Sequence, residues 1–159
     1  MSRLETPMTL WFWHQVGGLL IEEFSAVRRT ASQGQRLIDA VIVLGEKKRR
    51  LKRGAEFDLA GRDVIAVQSK HRRLGMTVAG QTLFSKELLK RFKPRSIRSV
   101  AVCTDEDAVL RPLLERHKGC EVRVYPARYA AHGAGVRGQG CVLVHETFMF
   151  AEILCEVVP

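Results

Sequence analysis

Apolar residues recur at helical spacing near the start of the chain. Leu10, Trp13, Val16 and Leu20 lie on one face and predict a helix over 9–21. Gly17 and Gly18 each cost roughly 1 kcal/mol inside a helix, so they signal close packing or an early helix end. The pattern then turns extended, with a short strand over 22–29, a polar turn around Gly34 and a β-branched strand over 36–45 stopped by Gly45. A basic loop follows, and 55–61 reads as a strand or an elaborated turn. Residues 63–70 form a clear strand. Leu83, Phe84, Leu88, Leu89 and Phe92 then predict a helix over 77–92, ended by Pro94. A strand over 96–104, a helix over 105–117 with an acidic first turn and Gly119 past its end, and a strand over 120–125 complete the regular part. Residues 126–140 read as a glycine-rich loop. Residues 141–158 read as a strand followed by a strand or a short helix, and Val142–Val158 is a candidate interface or core segment.

Strands that alternate with helices after Asp63 imply a mixed sheet with at least one parallel crossover. The expected class is α/β, a central mixed β-sheet flanked by helices, as a single domain over 1–159. No internal repeat is visible. No apolar run is long enough to span a bilayer, and the N-terminus lacks the pattern of a secretory signal, so a cytoplasmic protein is expected.

Charge sharpens this picture. Lys and Arg number 26 against 17 Asp and Glu, a net charge of +9. Such an excess suits a polyanionic partner, because each phosphate neutralised releases condensed counterions. The cations are clustered: Lys47, Lys48, Arg49, Arg50, Lys52 and Arg53 form one block, Lys70, His71, Arg72 and Arg73 a second, and Lys90, Arg91, Lys93, Arg95 and Arg98 a third. The alternative is an ordinary solvated basic surface. Cys103, Cys120, Cys141 and Cys155 lack C-x-x-C spacing, which argues for structural thiols rather than a zinc site. His14, His117, His132 and His145 have no metal-ligand spacing either.

Polar intrusions in apolar strands carry the chemistry. Asp39 stands among aliphatic and small residues, where a carboxylate is costly to bury without a partner. Gln68 and Lys70 intrude on the next core strand two positions apart, so alternation places both on one face. Taken singly, Asp39 also fits a strand-edge acid paired with Arg36, and Gln68 and Lys70 a strand running out into solvent.

Together, an upstream acid (Glu22 or Glu23), a lone strand Asp39, Gln68-x-Lys70 ending the next strand and an amphipathic helix resemble the PD-(D/E)XK, restriction-endonuclease-like, nuclease core. The resemblance spans residues 9 to about 126 and rests on order and spacing. It implies an α-β-β-β-α-β-α-β core and a Mg²⁺- or Mn²⁺-dependent hydrolase that cuts DNA to 5′-phosphate and 3′-hydroxyl ends. Asp39, Gln68, the Ser69 carbonyl and Glu22 or Glu23 would supply hard oxygen ligands. Lys70 would orient or help deprotonate the attacking water and offset charge on the phosphorane. The Gly18-x-x-x-Glu22 spacing resembles the first-helix pattern of that family and favours Glu22. Gln68 departs from the usual Glu, which is expected to weaken metal affinity. It keeps a catalytically inactive nucleic-acid-binding module on the same fold as the alternative.

The resemblance also suggests substrate contacts. Gln81 matches a position where such nucleases present a glutamine, and His71, Arg72 and Arg73 follow the site directly. Lys47, Lys48, Arg49 and Arg50 are candidates for phosphate contacts, with DNA the expected partner, RNA a second option, and a homodimer consistent with cutting two strands. Trp11 and Trp13 fit core packing better than base stacking.

Overall fold

The computed structural model describes residues 2–51 and 53–126; the tail beyond Pro126, with the loop and interface readings made for it, lies outside them. The order is α1 (Glu5–Val16), β1 (Leu19–Val27), β2 (Arg36–Val43), β3 (Arg49–Leu51), β4 (Asp63–Arg73), α2 (Met76–Leu89), a 3₁₀ turn (Lys90–Phe92), β5 (Ser96–Asp105), α3 (Leu110–Glu115) and β6 (Cys120–Val124). The strands form one mixed sheet of six in the order β3-β1-β2-β4-β5-β6. β1, β2 and β4 run antiparallel as neighbours, and β4, β5 and β6 run parallel. The chain is α/β, with helices on both faces of this sheet. No helix among the described residues is long and apolar enough to cross a membrane.

Period-two alternation explains the layering. Ile65 and Val67 of β4 turn to α1, where they bury with Met8, Phe12, Trp13, Leu20, Ala40 and Ile42. Val64 and Ala66 turn to the other face, with Leu19, Ile21, Val41, Val43 and Leu89 of α2. α3 packs beside α2 over β5 and β6 through Leu114, Val78, Ala101 and Val122. Each fully buried Leu or Ile contributes about 1.5–3 kcal/mol relative to an exposed one.

α1 both starts and ends earlier than its apolar spacing predicts. Ser2 and Glu5 form a reciprocal cap: the Glu5 N–H donates to Ser2 Oγ (3.3 Å), and the Ser2 N–H donates to Glu5 Oε2 (2.9 Å). At the other end Gly17 and Gly18 take φ of +76° and +78°, so residues 19–21 are strand, not helix. A Cβ on Gly18 would stand 2.4 Å from the Val43 carbonyl oxygen, which leaves no room for a side chain. Two further differences concern short elements. Residues 49–51, read as loop, add the edge strand β3 parallel to β1. Residues 55–61 form no strand, and α3 is shorter than predicted because Asp107 caps it through the Val109 and Leu110 N–H groups (3.0 and 2.9 Å).

Candidate active site

The site lies where β2 and β4 part. Their ladder runs from Val43↔Val64 to Ala40↔Val67 and ends there, while β2 continues to Arg36 and β4 to Arg73. Asp39 is the first residue of β2 beyond the ladder. Its Oδ2 accepts the Ser69 backbone N–H at 2.8 Å, replacing a strand-to-strand hydrogen bond. The N–H and C=O of one strand residue point to the same side, so the Ser69 carbonyl also faces this gap. Ser69 is fixed from the other direction, its hydroxyl 2.8 Å from that of Thr9 on α1.

Lys70 follows at once. Its ammonium lies 2.9 Å from Glu5 Oε1. Glu5 is nearly buried and holds Ser2 with its other oxygen. Burial alone would raise the Glu5 carboxyl, but the Ser2 N–H, Lys70 and the Ser2 hydroxyl outweigh it and lower it below its ordinary value. Asp39 goes the other way. Burial raises its carboxyl and the nearby Glu5 charge adds to this, while the Ser69 N–H and Lys70 oppose it without prevailing. Two acids of opposite bias thus meet one lysine where two inner strands of the sheet part.

Gln68 is placed differently from the shared-face expectation. Its Nε2 donates to Ser85 Oγ of α2 at 2.8 Å, on the face away from α1, whereas Lys70 reaches across to Glu5. Gln68 is 4% exposed, so the Ser85 contact fixes the orientation of the whole amide.

The two upstream acids have partners of their own. Glu22, 1% exposed, pairs through Oε2 with Arg50 of β3, and its Oε1 has no hydrogen-bond partner among the described residues. Glu23 lies 3.5 Å from Arg53. Glu5, by contrast, was not anticipated from the sequence; the signal that could have found it is the Ser2-x-x-Glu5 capping spacing.

Much of the cationic surface is engaged locally. Lys48 donates to the His14 carbonyl (3.2 Å) and lies over Trp13. Arg73 pairs with Asp105, Lys90 with Glu87 and Arg98 with Glu121. Arg95 clasps Asp63, whose carboxyl it and Ser96 push down to about 2. Arg72 is exposed and makes no ion pair among the described residues. Lys47 and Arg49 are exposed beside β3, and Gln81 is exposed on α2. Trp13 is core, its indole N–H donating to the Gly18 carbonyl, and Trp11 packs edge-on against Tyr125. Cys103 and Cys120 are buried thiols, and burial pushes Cys103 up to about 11; Cys141 and Cys155 lie outside the described residues.

No group of three His, Cys, Asp or Glu side chains among the described residues could hold a metal ion. The donors at the gap are instead mixed: the Asp39 and Glu5 carboxylates and the Ser69 carbonyl. Such a hard-oxygen set suits Mg²⁺, which keeps several waters and needs few protein ligands. Compared with protein-family models, curated proteins and solved structures, the chain matches none.

Proposed function

We propose that the chain is a metal-dependent nuclease domain with a restriction-endonuclease-like core, hydrolysing DNA phosphodiester bonds at the Asp39–Lys70 gap. The supporting observation is convergence. Asp39 holds the amide of the residue next to Lys70, and Lys70 in turn holds an acid from the first helix. The parting strands gain no stability from a raised carboxylate beside an ion pair, whereas this donor set suits phosphoryl transfer. The element order α1-β1-β2-β4-α2-β5-α3-β6, with β3 as an added edge strand, also fits the proposed core.

In this reading the helix acid is Glu5 rather than Glu22 or Glu23. A bound Mg²⁺ or Mn²⁺ would supply Lewis-acid polarisation of the phosphate and an activated water. Asp39, the Ser69 carbonyl and Glu5 would hold it. Lys70, released from Glu5 as that carboxylate turns to the metal, would orient the attacking water and meet the charge developing on the phosphate oxygens. Gln68, clamped by Ser85, would take part through its amide oxygen. Arg72 and His71, continuing β4 beyond the site, would contact flanking phosphates.

The second reading, a nucleic-acid-binding module without turnover, is favoured by the closed Glu5–Lys70 pair and by the neutral Gln68. Metal titration separates the two. A nuclease binds Mn²⁺ with loss of affinity in Asp39→Ala and cuts labelled DNA, while a binding module retains DNA in EDTA and cuts nothing.

A further inference from the structure

Glu23 has φ of +51°, in the left-handed region that side chains other than Gly, Asn and Asp rarely adopt. It lies within β1, where an extended backbone would be expected. The pairing of β1 with β2 includes Glu22↔Ala40 and Phe24↔Ile38 but omits the pair between them, Glu23 with Asp39. Glu22↔Ala40, Phe24↔Ile38 and Ser25↔Leu37 share one register, so no residue is inserted at this rung; the register shift of this pair comes later, between Ser25 and Val27.

What changes is the facing of the side chains. On β1, Leu19 and Ile21 bury against the α2 face, and beyond Glu23 it is Phe24 and Ala26 that do so. On β2 the same face takes Val43 and Val41, and then Ile38 beyond Asp39. Both strands therefore change phase at one rung. Without that change, Asp39 would alternate onto the α2 face, the one Gln68 takes. With it, the Asp39 carboxylate meets the Ser69 N–H.

We infer that Glu23 is a positioning residue, whose left-handed backbone turns the β1–β2 pair and aims Asp39 at Ser69. The inference bears on the nuclease reading because it assigns what places Asp39, but it is carried by the backbone alone. The Glu23 carboxylate also lies 3.5 Å from Arg53, and Arg53→Ala separates that pairing from the part played by the backbone.

The test is amide hydrogen exchange at Ser69 in the full chain, read without metal or substrate, in Glu23→Gly, Glu23→Asn, Glu23→Ala, Glu23→Val and Arg53→Ala. Gly and Asn accept the left-handed region more readily than Glu, Ala about as Glu does, and Val least. Ser69 protection should survive in the Gly, Asn and Ala variants and in Arg53→Ala. It should fall tenfold or more in Val, while Val41 and Ala66 within the ladder stay protected. If Val does not fold, Glu23→Thr, also β-branched, carries the test. Equal protection in Gly and the β-branched variant overturns the inference, and so does loss of protection in Gly and Ala alike or in Arg53→Ala. Because no cleavage is read, these outcomes stand apart from whether the domain is a nuclease.

Discussion

The Asp39 carboxylate accepts the Ser69 N–H at 2.8 Å, one residue past the last rung that joins β2 to β4. The bond closes the sheet where its backbone no longer can, and it does so with a group whose charge is disfavoured there. Burial raises the Asp39 carboxyl above its ordinary value. The folded protein therefore holds this proton more tightly than the unfolded chain does. Between the ordinary carboxylate value and the raised one, stability falls as pH rises, and the cost is full above the raised value.

Asp39→Asn should accordingly be at least as heat-stable as the wild type at pH 7 in EDTA, since Asn can still accept the Ser69 N–H. The advantage should vanish in acid below the ordinary Asp range. Thermal denaturation across pH reads this directly. A variant less stable than the wild type at neutral pH would show that the charged form is the favoured one.

Glu5→Gln separates helix capping from chemistry. Gln can still take the Ser2 N–H, so the cap survives and the stability loss should stay within about 1 kcal/mol. The charge facing Lys70 and a bound cation is gone, and metal-dependent cleavage should fall on the order of 10–100-fold. Steady-state cleavage beside urea denaturation would measure both. A loss of folding with no separate loss of cleavage would return Glu5 to a purely structural role.

Glu22 is buried against Arg50, which is itself half-exposed. Removing Arg50 strands a buried carboxylate, so Arg50→Ala should cost about 2–4 kcal/mol, toward the lower part of the range for a broken buried pair. The double variant Glu22→Leu with Arg50→Met should recover most of that loss. Denaturant midpoints for the wild type and the two variants settle the coupling, and a double variant no more stable than Arg50→Ala would refute it.

Ser85 holds Gln68. Ser85→Ala leaves a buried amide N–H without its partner and should cost about 1–3 kcal/mol. Gln68→Glu should keep the Ser85 contact, with the hydroxyl donating, and tighten Mn²⁺ binding by adding charge. Calorimetric titration of the two proteins checks this; equal Mn²⁺ affinity would place residue 68 outside the ligand set.

The parts of this site that can be read from sequence are those that break a strand pattern. Asp39, Gln68 and Lys70 stand out because apolar β-strands surround them. Glu5 does not, because its signal is a capping spacing ahead of the apolar stripe, and the stripe alone places the helix start at residue 9. Glu22 and Glu23 are conspicuous as a pair of acids, yet pairing chemistry far along the chain decides their roles: Arg50 and Arg53 belong to a basic run that reads as loop. The sheet order follows from the alternation of elements, but β3 has three residues, paired along β1 at the sheet's edge, too little for a periodic signal. The change of phase at Glu23 leaves no trace in composition, since it is a backbone event at a residue that does not favour it.

Cleavage of labelled single-stranded, duplex and branched DNA with Mg²⁺ or Mn²⁺ tests the central claim most directly, comparing the wild type with Asp39→Ala and Lys70→Ala. The account predicts metal-dependent cutting by the wild type, abolished by EDTA, with both variants folded, still binding DNA and cutting at least about 100-fold more slowly. A folded wild type that cuts none of these substrates with either metal would contradict it.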